Sequence, residues 1–433
     1  MSSYSSADEA YDSDEPPELE LNLGRLMDHA SRALNAKCIG AKKLTRGASH
    51  EIFTLQFQEA AEAPASLAQA GFYCVARFTR GDSNSAKSLS EIATARYLKR
   101  FTEIPVPEIY YHDLDVDNDV GAPFVLMEKI PGRRLHSLWD DLSLENKKSA
   151  LSQIASVLAQ LAALQFDQIG SLDDSEHGIG PVISPCLEQP KGPFQSTGEY
   201  LRSFVSTESA ESPELKNLFH QTQESIDQFL TRNDHAAYLQ PPFCLIHADF
   251  DAQNMLFLEL EVGSGPRLVG LIDFEYAYTG PLHFLYEYPI FIQDVSWSKE
   301  LYAENAVLRA HFVRAIYEAL PTPDARSTFI ASMNEKSFAM SAFSNSFMTM
   351  KCSEKTLINS VTNYIKDLRD GTGLPYSGRL DYTPELYSHE GYPLPTDTTA
   401  KRETQDSAGD GIRLGESSPL GDLGMDEDGD LSK

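Results

Sequence analysis

Residues Cys244-Leu-Ile-His247-Ala-Asp249-Phe-Asp-Ala-Gln-Asn254-Met-Leu-Phe257, followed by Leu268-Val-Gly-Leu-Ile-Asp273-Phe-Glu275, decide how this chain is read. Met255 to Val262 and Leu268 to Ile272 are both strand-like, and Gly263-Ser-Gly265-Pro266 between them is a strong turn signal. An antiparallel hairpin pivoting there sets Asn254 and Asp273 nearly opposite each other. Asp249 lies upstream of Asn254, in a loop that enters the same end of the hairpin. Three oxygen-bearing side chains are therefore expected at one mouth.

Such a set suits a hard cation. Mg²⁺ prefers oxygen ligands, keeps several waters and usually takes one or two protein carboxylates beside substrate phosphates. Asp273 and Asn254 supply one anionic and one neutral ligand. Asp249 is then left to accept a proton from an attacking hydroxyl, or simply to orient it. The H-x-D-x(4)-N spacing matches the catalytic loop of protein kinases, and Asp273-Phe-Glu275 stands where those enzymes carry D-F-G. Asp251 competes as a base but is out of register with that spacing. His247 reads two ways, as a core histidine holding the loop or as a proton-transfer group. Glu275 reads either as a support for the metal or as an acidic residue at a helix start.

Outward from this motif the chain divides in two. The half before it is strand-rich, with β-prone runs at Lys42 to Gly47, Glu51 to Phe57 and Phe72 to Phe78. A helix is expected over Ser88 to Phe101, where Ile92, Ala95 and Leu98 recur at helical spacing. Strand-like runs follow around Ile109-Tyr110-Tyr111 and Phe124-Val-Leu-Met127, then the turn signal Ile130-Pro131-Gly132. The larger half is helical. Leu151, Ile154, Val157, Leu158, Leu161 and Leu164 trace a one-sided apolar stripe, with Ser143 as its N-cap, and helical patterns return at Ala303 to Leu320 and Leu357 to Leu368. Residues 1–20 and 395–433 are polar, and the second stretch ends in the acidic run Met425-Asp-Glu-Asp-Gly-Asp430. Both are expected to be disordered.

The motif residues resemble the aminoglycoside phosphotransferase and choline-kinase-like family, a family of phosphotransferase enzymes with fungal members. His247-Ala-Asp249, Asn254 and Ile272-Asp273-Phe274-Glu275 match its H-x-D loop ending in Asn and its following I-D-[FW]-[DE] segment. The resemblance runs from roughly Gly40 to Glu287. It implies an α+β, protein-kinase-like fold of two lobes, with a small antiparallel-sheet lobe over 21–127 and a helical lobe over 128–394. It also implies ATP-dependent phosphorylation of a hydroxyl on a small molecule, with Asp249 as the catalytic residue and Mg²⁺ held by Asn254 and Asp273. The family usually has Gly where this chain has Ala248, which is a small change.

The nucleotide is then expected under the first half. Gly47 and Ser49 sit between two strand runs, where a loop folds over phosphates through backbone N–H groups and the Ser49 hydroxyl; a plain hairpin turn is the other reading. Arg77 shares a strand face with Tyr73 and Val75, where a charge requires a partner. The resemblance implies that Arg77 meets the ATP phosphates and that Glu91 is its ion-pair partner, although Glu91 also reads as a solvated helix charge. Kinases carry Lys at that point, and Arg is well suited to phosphate. Met127, Glu128, Lys129 and Ile130 are implied to form the connector whose backbone meets the adenine.

Composition excludes some classes. A formal net charge of -28 argues against a nucleic-acid or anionic-membrane partner, since both need clustered Lys and Arg, and mildly favours a cationic acceptor. No apolar run approaches the ~20 residues of a membrane span, and the N-terminus has no signal-peptide pattern. The five cysteines form no CxxC pair and read as buried thiols in a reducing compartment, so the expected location is cytoplasmic or nuclear. The competing reading is a catalytically idle kinase-like scaffold that binds nucleotide. A conventional protein kinase is disfavoured, because the D-F-G glycine and an A-P-E segment are missing. Neither the acceptor's identity nor the oligomeric state is legible.

Overall fold

Alternation along His50–Phe57 explains the first sheet. Phe53, Leu55 and Phe57 point to one face and are buried, as the two-residue period of a strand requires. In the computed structural model this strand, β2, lies between β1 (Cys38–Arg46) and β3 (Tyr73–Thr79). With β4 (Ile109–Asp113) and β5 (Phe124–Glu128) they form an antiparallel sheet in the order β1-β2-β3-β5-β4. Phe53, Leu55, Phe57, Phe78 and Phe124 share a core with Leu26, Ala30 and Leu34. The first two of that trio belong to α1 (Leu23–Ala33), which is capped by Asn22 accepting from the Arg25 N–H. Burying each such Leu or Phe contributes about 1.5–3 kcal/mol. A short helix, α2 (Ala65–Gln69), covers the β2–β3 connection, and α3 (Ser85–Phe101) begins three residues before the expected helix.

The opposite face of the sheet stays open. Register sets Ile52 and Val125 across from Arg77 on the central strand, and these three with Val75 and Met127 roof a cleft. Beyond the connector comes β6 (Arg133–Arg134), which pairs with β10 (Met255–Glu259), itself paired with β11 (Pro266–Leu271). Gly132 makes that approach possible. Its φ is +117°, and a Cβ there would stand 2.7 Å from the Phe257 carbonyl oxygen.

The helical half is built on α4 (Leu144–Ala163), whose N-cap Ser143 accepts from the Asn146 N–H at 3.3 Å. Its stripe, with Leu151, Ile154, Leu158 and Leu161 buried, packs against α8 (Lys299–Ala319). The same half holds the small ladder β7–β8 (Ser171–Leu172, Ile179–Gly180), the pair β9–β12 (Cys244–Ile246, Tyr278–Gly280), and α5 (Thr197–Ser203), α6 (Pro213–Arg232), α7 (Leu282–Leu285) and α9 (Pro323–Asn334). This is an α+β, kinase-like fold of two lobes.

The structure describes residues 18–47, 49–80, 85–173, 178–185, 187, 189–206, 210, 212–259, 265–292, 299–334 and seven between 358 and 366. The described residues all fall within one compact unit, residues 1–381, and residues 382–433 lie wholly outside them. The expected tails fall almost entirely outside them too, except for 18–20. Of the helix expected at Leu357 to Leu368, the described residues are helical. Among the described residues no helix is long and apolar enough to cross a membrane. Cys38, Cys74 and Cys244 are buried free thiols, and burial pushes each of them up.

Candidate functional site

The loop leaving β9 is held by its own backbone and by the side chains of Asp251, Asn254 and His247. Asp251 accepts from the Ala252 N–H at 2.7 Å and caps the single turn Ala252–Asn254. The Asn254 N–H donates to the Asp251 carbonyl at 2.9 Å, and the Ile272 N–H donates to the Asn254 carbonyl at 3.0 Å. Asp273 therefore follows directly on the residue that pairs with Asn254, close to the opposition expected from the hairpin. The Asn254 amide, 5% exposed, donates to the Asp249 carbonyl at 3.0 Å and to Asp249 Oδ2 at 2.8 Å. Asp249 itself is exposed.

His247 is 2% exposed, and burial pushes its pKa down, so the ring is neutral near pH 7. One tautomer satisfies both nitrogens. Nε2–H donates to the Ile272 carbonyl at 3.0 Å, and Nδ1 accepts from the Asp249 N–H at 3.3 Å. The ring thus ties the loop that carries Asp249 to the strand end that carries Asp273. Ala248, between His247 and Asp249, has φ +69°, and Asp273 has φ +66°. That left-handed backbone explains a family preference for glycine at the first of these positions.

Above the loop, Arg77 and Glu91 are 8% and 7% exposed and form a close ion pair, and Arg77 Nη1 also donates to Asp273 Oδ1 at 3.4 Å. Burial opposes the Arg77 charge, yet Glu91 and then Asp273 hold its pKa above the ordinary value. Glu275 is likewise paired. His50 Nε2 lies 2.9 Å from its Oε1 and Lys87 Nζ 3.1 Å from its Oε2. Burial works against its charge, but His50, Lys87 and Arg77 together hold the carboxyl down at about 2. Neither of the two sequence readings of Glu275 anticipates those partners, and none of its near neighbours in the chain carries a signal for them.

Two cavities lie against these residues. The first, of about 400 Å³, lies beneath the sheet and is lined by Arg77, Glu91, Met127, Glu128, Lys129, Ile130, Asn254 and Asp273. Such a volume falls in the range of small-ligand sites, ~300–1,000 Å³. The second, of about 270 Å³, lies against Asp249 and His247 and is lined also by Asp251, Glu287, Phe250, Phe284 and Tyr288. The Asn254–Asp249 hydrogen bond links the lining of one to the lining of the other. Gly47 and Ser49 are not among the lining residues. They stand in the β1–β2 turn, where Gly47 N–H donates to the His50 carbonyl at 2.9 Å and Arg80 donates to the Gly47 carbonyl at 3.3 Å. Their neighbours Leu44, Thr45 and His50 do line the cleft, and the turn signal alone did not single them out. Along the connector, the Glu128 carboxylate turns back to accept from the Glu108 N–H at 3.0 Å and from Lys99 at 3.4 Å.

The donor set fits Mg²⁺, with one carboxylate from Asp273 and one carboxamide from Asn254. Among the described residues no cluster of three or more His, Cys, Asp or Glu side chains is arranged to hold a metal alone, so phosphates would have to complete the sphere.

Known proteins resemble this chain in part. It is 29% identical over 162 residues to a subtelomeric hrmA-associated cluster protein of Aspergillus fumigatus, covering 35% of this chain and 29% of that protein. It is 35% identical over 104 residues to the altered inheritance of mitochondria protein 9, mitochondrial, of Candida tropicalis, covering 22% of this chain and 17% of that one. The chain thus matches under a third of the length of these curated relatives. Among solved structures, the streptomycin–ATP ternary complex of APH(2″)-IIa aligns at 17% identity and a TM-score of 0.45, over 81% of this chain and 97% of that chain. The GDP complex of aminoglycoside 2′-phosphotransferase-IIIa aligns at 15% identity and a TM-score of 0.46, over 81% and 98%. The profile of the phosphotransferase enzyme family matches residues 63–284, a span that holds Arg77, Glu91, the connector and the whole segment from His247 to Glu275. On that match, which takes in half of its length, the chain belongs to the phosphotransferase enzyme family.

Proposed function

We propose that this chain transfers the γ-phosphate of ATP, bound with Mg²⁺, to a hydroxyl group of a small cationic molecule in the cytoplasm. One observation carries the reading. The two expected metal ligands line one cavity and the expected base lines the other, with a 2.8 Å hydrogen bond joining them. A phosphate bound with its nucleotide on one side faces a hydroxyl on the other across this link, as in-line transfer requires.

Residues 21–127 act as the nucleotide lobe and 128–394 as the acceptor lobe. The connector Met127–Ile130 receives the adenine, and the turn with Gly47 and Ser49 covers the phosphates. Arg77, kept charged by Glu91, binds phosphate oxygens through its fork of N–H groups. Asn254 and Asp273 hold the metal, which when bound neutralises charge on the β- and γ-phosphates. Asp249 accepts the acceptor's proton or orients its hydroxyl, and Asn254 fixes the carboxylate for that task. His247 is a positioning residue, since both its nitrogens are engaged with backbone. Asp249, Asp251 and Glu287, set among Phe250, Phe284 and Tyr288, favour an acceptor with a positive charge and an apolar surface.

ADP release from Mg·ATP, screened against small alcohols with and without an amino or quaternary ammonium group, tests the proposal. Turnover with at least one cationic alcohol, lost in Asp249→Asn, is expected. Tight Mg·ATP binding with no transfer to any acceptor would replace it with the nucleotide-binding scaffold.

A further inference from the structure

We infer that Glu275 is an interlobe latch, a positioning residue that locks β2 and the start of α3 onto the loop carrying Asp273, rather than a ligand of the metal. The inference rests on the nucleotide reading of the cleft above. Each carboxylate oxygen lies against a side chain of the other lobe: Lys87 Nζ of α3 is 3.1 Å from Oε2, and His50 Nε2 of β2 is 2.9 Å from Oε1 in a close contact that is not aligned as a hydrogen bond. All three side chains are 13–14% exposed, so water competes little for them. Lys87 also sits over the Tyr276 ring, 5.3 Å from its centroid, which adds a second contact between the same two elements.

The connectivity gives the latch its purpose. Lys87 and Glu91 are four residues apart on α3 and share a face. Glu91 pairs with Arg77, Arg77 reaches Asp273, and Asp273 is two residues from Glu275. The contacts therefore close a ring, from α3 through Glu275 and Asp273 to β3 and back to α3. A ring of this kind leaves Arg77 and Asp273 little freedom to separate, and these are the groups set to meet the phosphates and the metal. His50 attaches the end of the β1–β2 turn to the same carboxylate, so the turn over the phosphates is held by the link that holds Asp273. The matched family span begins at residue 63, which leaves His50 outside it.

The test compares His50→Gln, Lys87→Met, Glu275→Gln and the double variant Lys87→Met/Glu275→Gln. Mg·ATP affinity is measured by calorimetry over a range of Mg²⁺ concentrations, and amide exchange over residues 270–278 is measured without nucleotide. Lys87→Met and Glu275→Gln should each weaken Mg·ATP about tenfold, equivalent to about 1.4 kcal/mol. The double variant should be no weaker than the worse single, as for two ends of one link. The Mg²⁺ dependence should not move, and amides 270–278 should exchange faster in all four. Multiplicative losses in the double variant would overturn the latch. So would a shift in Mg²⁺ dependence confined to Glu275→Gln, which would make it a metal ligand. If the unaltered protein binds no Mg·ATP, the proposed function fails and amide exchange alone judges the latch: faster exchange upholds it, unchanged exchange refutes it.

Discussion

The cleft beneath the sheet and the cavity beside Asp249 are linked by the Asn254–Asp249 hydrogen bond but treat charge in opposite ways. In the first, Arg77 is withdrawn from water and held charged by two carboxylates, a costly arrangement that a phosphate would exploit. In the second, the described lining residues include three carboxylates and no Lys or Arg, and its one histidine is held neutral by burial. The difference teaches how a strongly acidic protein can seat an anion. Its net charge of -28 disfavours a polyphosphate at long range, so on the proposed function the local, desolvated Arg77 guanidinium supplies what the overall field cannot. On the proposed function, the acceptor side needs no such device, because the overall field favours a cation.

The sharpest way to break this comparison is at the hydrogen bond between the two cavities. Asp249→Asn should lower turnover by about 10²–10⁴-fold while leaving Mg·ATP affinity nearly unchanged. Steady-state kinetics beside calorimetry checks it, and comparable turnover would remove Asp249 from its role. Next in size, Arg77→Met strands a buried carboxylate and should cost about 3–5 kcal/mol in denaturant unfolding, with Arg77→Lys well below that. Asp273→Ala should weaken Mg·ATP by about tenfold or more and leave metal-free ADP much less affected, as titrations with and without Mg²⁺ would show. On the acceptor side, Glu287→Gln should raise KM for a cationic alcohol by about two- to fivefold and leave KM for ATP alone, since Glu287 is exposed and screened. The smallest effect is a gain. Ala248→Gly relieves a left-handed alanine and should add about 0.5–1 kcal/mol to unfolding stability.

Much of the framework is legible in the order of residues. The strands of the sheet, α4 with its Ser143 cap and the hairpin that pairs Asn254 with Ile272 all follow from periodicity and turn chemistry. Two further helices, α1 and α6, carry the same kind of signal. Asn22 before Leu23, Leu26, Met27 and Ala30 is a cap followed by helical spacing, and Ser212-Pro213 before Leu215, Phe219 and Ile226 is another. The β9–β12 pair was beyond reach, because its strands are three residues each and join segments far apart in the chain. So were the partners of Glu275. His50 and Lys87 show nothing in their own surroundings that points to a carboxylate in the other lobe.

The chain alone therefore determined what short-range geometry can settle. A two-residue strand period, a glycine-rich turn and a capped apolar stripe act over a few bonds, and they account for the hairpin, α3, α4, α8 and the neighbourhood of Asp249 with Asn254. Apart from the Arg77–Glu91 pair, which the family resemblance implies, tertiary structure alone decided which charges meet. Arg77, Glu91 and Asp273 come from three elements, and so do His50, Lys87 and Glu275. Whether such groups lie at 3 Å or 15 Å depends on how helices and sheet pack, and no local rule carries that information.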